Sequence, residues 1–200
     1  MENNPKILHL STYDEFGGAA RAANRIMNAQ LGVGINATML CAVKTGTHPN
    51  ISVSLSVDPI TKLKLVHSYL QYLRNYDSNS ETLSSYGDIS ASLVDEINQS
   101  TCDIVNLHWI SYMLSIEDIG KINKPIVWTL HDMWAFCGGE HIVTDEKYLE
   151  KYLLPEKASE SESPDKNQDA WKRKAECWKE KKFVIICPSN WLASLSKKSG

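Results

Sequence analysis

The chain has 200 residues, 42% of them hydrophobic and 22% charged, with a formal net charge of −3; this suffices for one ample core and excludes general disorder. The mildly negative balance lacks the basic excess of a nucleic-acid binder, and no Gly-aromatic or zinc-knuckle pattern points to RNA. Apolar runs such as "FVIIC" (183–187) fall far short of the about 20 residues that a membrane-crossing helix needs.

The opening "MENNPKILHL" has neither the basic n-region nor the long apolar h-region of a secretory signal, so the chain reads as cytoplasmic. "KILHLS" (Lys6 to Ser11) is apolar on both faces, the pattern of a buried parallel strand. After Gly17-Gly18 a helix is predicted, with Ala20, Ala23, Met27 and Leu31 on one side and Arg21, Arg25 and Asn28 on the other. Gly32 and Gly34 stop it, and "NATMLCAV" (Asn36 to Val43) is the next strand. "ITKLKLVHSYLQYLRN" then places Leu63, Val66, Leu70 and Leu73 on a helical stripe, followed by "NYDSNSETLSSYGD", a predicted surface loop.

"ISASLVDEINQ" predicts a short helix and "CDIVNLHWI" (Cys102 to Ile110) a strong strand. "SIEDIGKI" predicts a helix and "PIVWTLHD" a further strand. The acidic, low-complexity stretch from Ala158 to Asp169 predicts an exposed loop. A helix with Trp171, Ala175 and Trp178 on one face follows, then the strand "FVIICPS" and the helix "NWLASLSKKSG". This alternation predicts an α/β fold over residues 1–200: an open, mostly parallel, Rossmann-like sheet with helices on both faces.

Ligands of such sheets bind at the carboxyl ends of the strands. The polar clusters fall there: Gly17-Gly18, His108-Trp109, His131-Asp132 and Ser189-Asn190 each follow a strand. A Gly-Gly turn into a helix admits a ligand to free amide groups, and Arg21 in the first turn is easier to understand beside an anion. Neither GxxxxGK[ST] nor GxGxxG is present. Asp132 is placed to orient His131, to accept from a sugar hydroxyl or to cap the next segment. Trp134 and Phe136, in a loop, suit a platform for a sugar ring.

His108, His131, Asp132 and His141 are ligand types that suit Zn or Mn, yet no HExxH or HxH spacing supports a metal, and none is expected. GxSxG is absent as well. Cys41, Cys102, Cys137, Cys177 and Cys187 are odd in number and contain no CxxC; Cys137 alone lies in the polar cluster, where a reactive or ligating role stays open. The run "WKRKAECWKEKK" reads as a solvated basic face, with contact to an anionic membrane surface as the competing reading.

Together, "HLSTYDEFGGAARAANRI", "DIVNLHWI", "PIVWTLHDMWAFCGGEH", "DAWKRKAECW" and "CPSNWLA" resemble the amino-terminal half of a retaining bacterial glycosyltransferase of the GT-B, family-four-like group, which serves cell-surface polysaccharide assembly. The resemblance implies a nucleotide-sugar donor, a glycan or lipid-linked acceptor, no cofactor and no metal. It implies that Gly17 and Gly18, with Arg21, line the cleft near the donor diphosphate, and that His131 lies close to the transferred sugar with Asp132 beside it. His108, Trp109, Trp134 and His141 would line the acceptor side. A second Rossmann domain carrying most of the donor pocket is expected beyond Gly200, so this chain is expected to be inactive alone. The competing readings are a non-catalytic sugar- or nucleotide-binding module, or a partner of a separate donor domain, and a metal-dependent hydrolase.

Overall fold

Short runs that are buried on both faces, apolar on one and partly polar on the other, form the middle of the sheet. A computed structural model describes residues 4–54, 59–60, 63, 67, 84–90, 92–144, 146–150, 152 and 165–199. Its strands are β1 (Lys6–Tyr13), β2 (Asn36–Val43), β3 (Ile51–Val53), β4 (Ile104–Leu107), β5 (Ile126–Thr129) and β6 (Phe183–Ile186). They form one sheet in the order β3-β2-β1-β4-β5-β6, and every pair is parallel. This is the Rossmann-like α/β architecture that the alternation predicts. Among the described residues the helices are α1 (Gly17–Gly32), α2 (Val94–Gln99), α3 (Ile116–Lys121), α4 (Lys166–Trp178) and α5 (Asn190–Lys198).

Two apolar layers flank the sheet. On one side Ala23 and Met27 of α1 pack on Ala37, Met39 and Cys41 of β2. On the other, Leu8, Leu10, Val105, Leu107 and Trp128 meet Ile97, Ile116, Ile119, Ala170 and Leu192 from the remaining helices. Alternation along β1 thus sends Leu8 and Leu10 to the larger layer and His9 toward α1. The short α3 is set by a capping box: the Ser115 hydroxyl accepts the Asp118 N–H, and Asp118 accepts the Ser115 N–H, both at 3.1 Å. Ser189 caps α5 in the same manner by accepting the Leu192 N–H.

The structure differs from the sequence reading at several elements. The helix expected around Leu63 to Leu73 lies outside the described residues, apart from isolated positions. In "ISASLVDEINQ" only Val94–Gln99 is helical. α4 begins at Lys166, inside the stretch read as a loop, because the Asp165 carboxylate accepts the N–H groups of Asn167 and Gln168. Ala170 and Lys174 are the buried positions of α4, while Ala175 is exposed. Nor is "WKRKAECWKEKK" a free basic face. Arg173 forks onto Glu117 and also bonds Asp88, Lys174 is buried, and Lys181 donates to the Ile122 carbonyl. Among the described residues no helix is long and apolar enough to cross a membrane.

Candidate functional site

The strand order reverses between β1 and β4, so the crevice at their carboxyl ends is where such a sheet takes a ligand. Just past β1, Asp14 is fully buried. Its carboxylate accepts the N–H groups of Thr45 (2.9 and 3.0 Å) and Gly46 (2.7 Å) and the Thr45 hydroxyl (3.1 Å), which ties β1 to the loop after β2. The chain then turns at Gly17, whose φ of 81° is left-handed and favours glycine. No side chain caps the start of α1, and its first turn holds no acidic residue. A Cβ placed on Gly18 would meet nothing within 4 Å. The amide end of α1 therefore stands open, with Arg21 exposed beside it.

On the α1 side of the sheet, three imidazoles run from β1 across β4 to the end of β5. His9 is in register with Asn106, which puts His9, Asn106 and His108 on one face. Gln30 Oε1 lies 2.7 Å from His9 Nε2, His9 Nδ1 lies 2.9 Å from His108 Nε2, and His108 Nδ1 lies 3.0 Å from His131 Nε2. The rings stack with centroids 5.2 and 5.3 Å apart. Burial lowers the pKa of all three; for His108 it falls to about 2, with the charges of His9 and His131 adding to the effect. All three are neutral near pH 7. His9 and His108 are buried, and His131 alone reaches the surface.

Asp132 does not hydrogen-bond His131. One oxygen accepts the Trp134 N–H at 3.0 Å, and the other sits 2.6 Å from His141 Nδ1. His141 Nε2 lies 3.0 Å from the Ser85 hydroxyl, which donates to Ser111 Oγ at 3.0 Å. Acid, imidazole and hydroxyl stand here in the order of a serine triad, but the Ser85 proton goes to Ser111 and not to the imidazole. Both serines are buried, however, and the adjoining cavity, lined by Trp109, Ser111, His131, Asp132 and His141 among others, measures only ≈ 10 Å³, the size of one water. No substrate fits against that hydroxyl, so the network fastens the loop.

Lys174 fixes the same loop from α4. Its ammonium donates to the carbonyls of Trp134, Cys137 and Gly138 and lies 3.7 Å from the centroid of the Trp134 ring. Burial pulls its pKa down to about 7. Gly138 and Gly139 are demanded by contact: a Cβ would come within 2.6 Å of Asn167 and 2.4 Å of the Tyr86 ring, respectively.

The predicted residues therefore separate into two groups. Gly17, Gly18, Arg21, Trp109 and His131 reach the open edge. His108, Trp134 and His141 are buried and line only the one-water cavity, so they offer no acceptor surface. Trp134 is no sugar platform, because it packs against Trp128 and Trp178 and its indole N–H donates to the Ser85 carbonyl at 2.6 Å. Asp132 is a turn cap and the partner of His141. Cys137 is fully buried with its thiol pushed up to about 12, which removes it as a reactive group. The end of the predicted surface loop is also internal, since Ser85 is buried and donates its N–H to the Gly139 carbonyl.

The accessible aromatic rim is instead Phe16, Trp109 and Tyr112 around buried Tyr13; Tyr13 stacks on Trp109 at 6.2 Å, and Tyr112 holds a left-handed φ of 66°. Sequence reasoning missed His9, Gln30, Asp14, Ser85 and Lys174. The one available signal was a histidine inside an otherwise apolar strand. Among the described residues no group of three or more His, Cys, Asp or Glu side chains is placed to hold a metal ion. No family model, no curated protein and no solved structure matches the chain.

Proposed function

We propose that the chain is the acceptor-side domain of a retaining glycosyltransferase, which moves a sugar from a nucleotide-sugar to a glycan or lipid-linked acceptor. The supporting observation is a pair of complementary groups at one edge of the sheet. His131, a neutral and partly exposed imidazole, stands at the carboxyl end of β5 on the α1 side of the sheet, and the uncapped start of α1 at Gly17-Gly18 opens at the same edge. The imidazole accepts a hydrogen bond from a sugar hydroxyl, while the α1 amides and Arg21 stabilise charge on the departing diphosphate. Trp109 and Tyr112 offer apolar ring faces to a sugar.

In this reading the donor pocket belongs to a second Rossmann-like domain, and the protein works in the cytoplasm at the inner face of the membrane, where lipid-linked acceptors are presented. Val184 (61% exposed), Ile186 (47%) and Trp191 (59%) form an apolar edge of the kind that an adjoining domain covers. The test is a panel of nucleotide-sugars given to the full-length protein with a lipid-linked acceptor. Sugar transfer that keeps the anomeric configuration and releases a nucleoside diphosphate is the expected result. Binding without transfer would favour a non-catalytic module, and the absence of any binding would overturn the assignment.

A further inference from the structure

We infer that Gln30 is a positioning residue for His131: through His9 and His108 it fixes which nitrogen of His131 carries the proton, and it leaves the Nδ1 lone pair facing the crevice. Every link is a direct contact between atoms with few options. A neutral imidazole has one N–H and one acceptor nitrogen, so in a chain of three rings each bond dictates the next. Gln30 Oε1 can only accept, so His9 carries its proton on Nε2. His9 Nδ1 must then accept, and His108 Nε2–H donates to it. His108 Nδ1 accepts in turn from His131 Nε2–H.

The chain has one alternative polarity, in which every proton moves to the other nitrogen and His131 presents an N–H to the crevice. The two polarities differ in what His9 Nε2 needs from Gln30, an acceptor or a donor. The half-buried amide, at the end of α1 remote from the crevice, presents the acceptor. Hydrogen bonds in such a chain polarise one another, and the buried, neutral rings allow no intermediate charged state. Asp132 is the charged group near His131, but its oxygens are engaged by Trp134 and His141 and do not set the tautomer. This inference rests on the proposed function only in treating the crevice as the place where substrate lies.

Long-range proton–nitrogen correlation spectra of the histidine-labelled 200-residue chain test it, with signals assigned by single His→Gln variants. In the wild type, His9, His108 and His131 are each expected as the Nε2–H tautomer at pH 7. In Gln30→Met the acceptor is gone, so the pyrrole-type and pyridine-type signals of His131 exchange places, three rings away. Gln30→Glu, which can only accept, restores the wild-type pattern. Wild-type His131 with its proton on Nδ1, or a His131 pattern unchanged in Gln30→Met, would overturn the inference. Should Gln30→Met fail to fold, the wild-type spectrum decides alone. The spectra report tautomers and not transfer, so their outcome is independent of the activity assay.

Discussion

A buried neutral imidazole is tolerated until the medium offers it a proton. The unfolded His108 titrates near the ordinary histidine value, whereas in the fold its pKa lies at about 2. Between those values the unfolded chain binds more protons, so the stability is full above about pH 6.5 and is lost as the pH falls. Each pH unit in that window costs about 1.4 kcal/mol for His108 alone, and hence about 2 kcal/mol at pH 5. His9 and His131, whose pKa values are lowered too, add to the loss. Urea denaturation at pH 7 and pH 5 should show this drop, and His108→Gln should make it shallower; equal midpoints at the two pH values would contradict the neutral relay. The two glycines at the start of α1 should also behave differently. Gly17→Ala forces an L side chain into left-handed backbone and should cost about 1 kcal/mol. Gly18→Ala has open space and should fold as well as wild type, while under the proposed function it should weaken diphosphate binding.

Among the elements, the loop from Met133 to His141 is closed by hydrogen bonds of its own, such as the Met133 N–H to the His141 carbonyl, and is fastened by its neighbours. Removing the Lys174 ammonium leaves three buried carbonyls without their donor. Lys174→Met should therefore destabilise the protein by about 2–4 kcal/mol, read by thermal or urea unfolding. Gly139→Ala drives a methyl into the Tyr86 ring and should cost about 1–3 kcal/mol; a neutral result for both would mean that the loop is not fastened in this way. Five of the six strands were legible in the sequence because each is a short run rich in apolar residues, a signal local to its segment; β3 (Ile51–Val53), inside a Thr/Ser-rich stretch, was not. Partners were not legible, because they depend on register. Nothing in "KILHLS" or "DIVNLHWI" says that His9 and Asn106 lie side by side. Trp134 reads as an exposed platform from its polar neighbours, and Lys174 reads as one charge in a basic run. Both are buried because each satisfies the other, the ammonium on the ring face and on the loop carbonyls.

At the scale of the whole molecule, the accessible chemistry is narrower than the sequence suggests. Of the polar cluster at the sheet's carboxyl edge, His131 alone offers a titratable side chain backed by a buried relay and open to the crevice. The remainder of the cluster builds the wall behind it. For the proposed transferase, turnover of the full-length protein carrying His131→Ala, measured with its melting temperature, tests this most directly. The account predicts a fall in kcat/KM of about a hundredfold or more with a melting temperature within a few degrees of wild type. Near-normal turnover in that variant would contradict it.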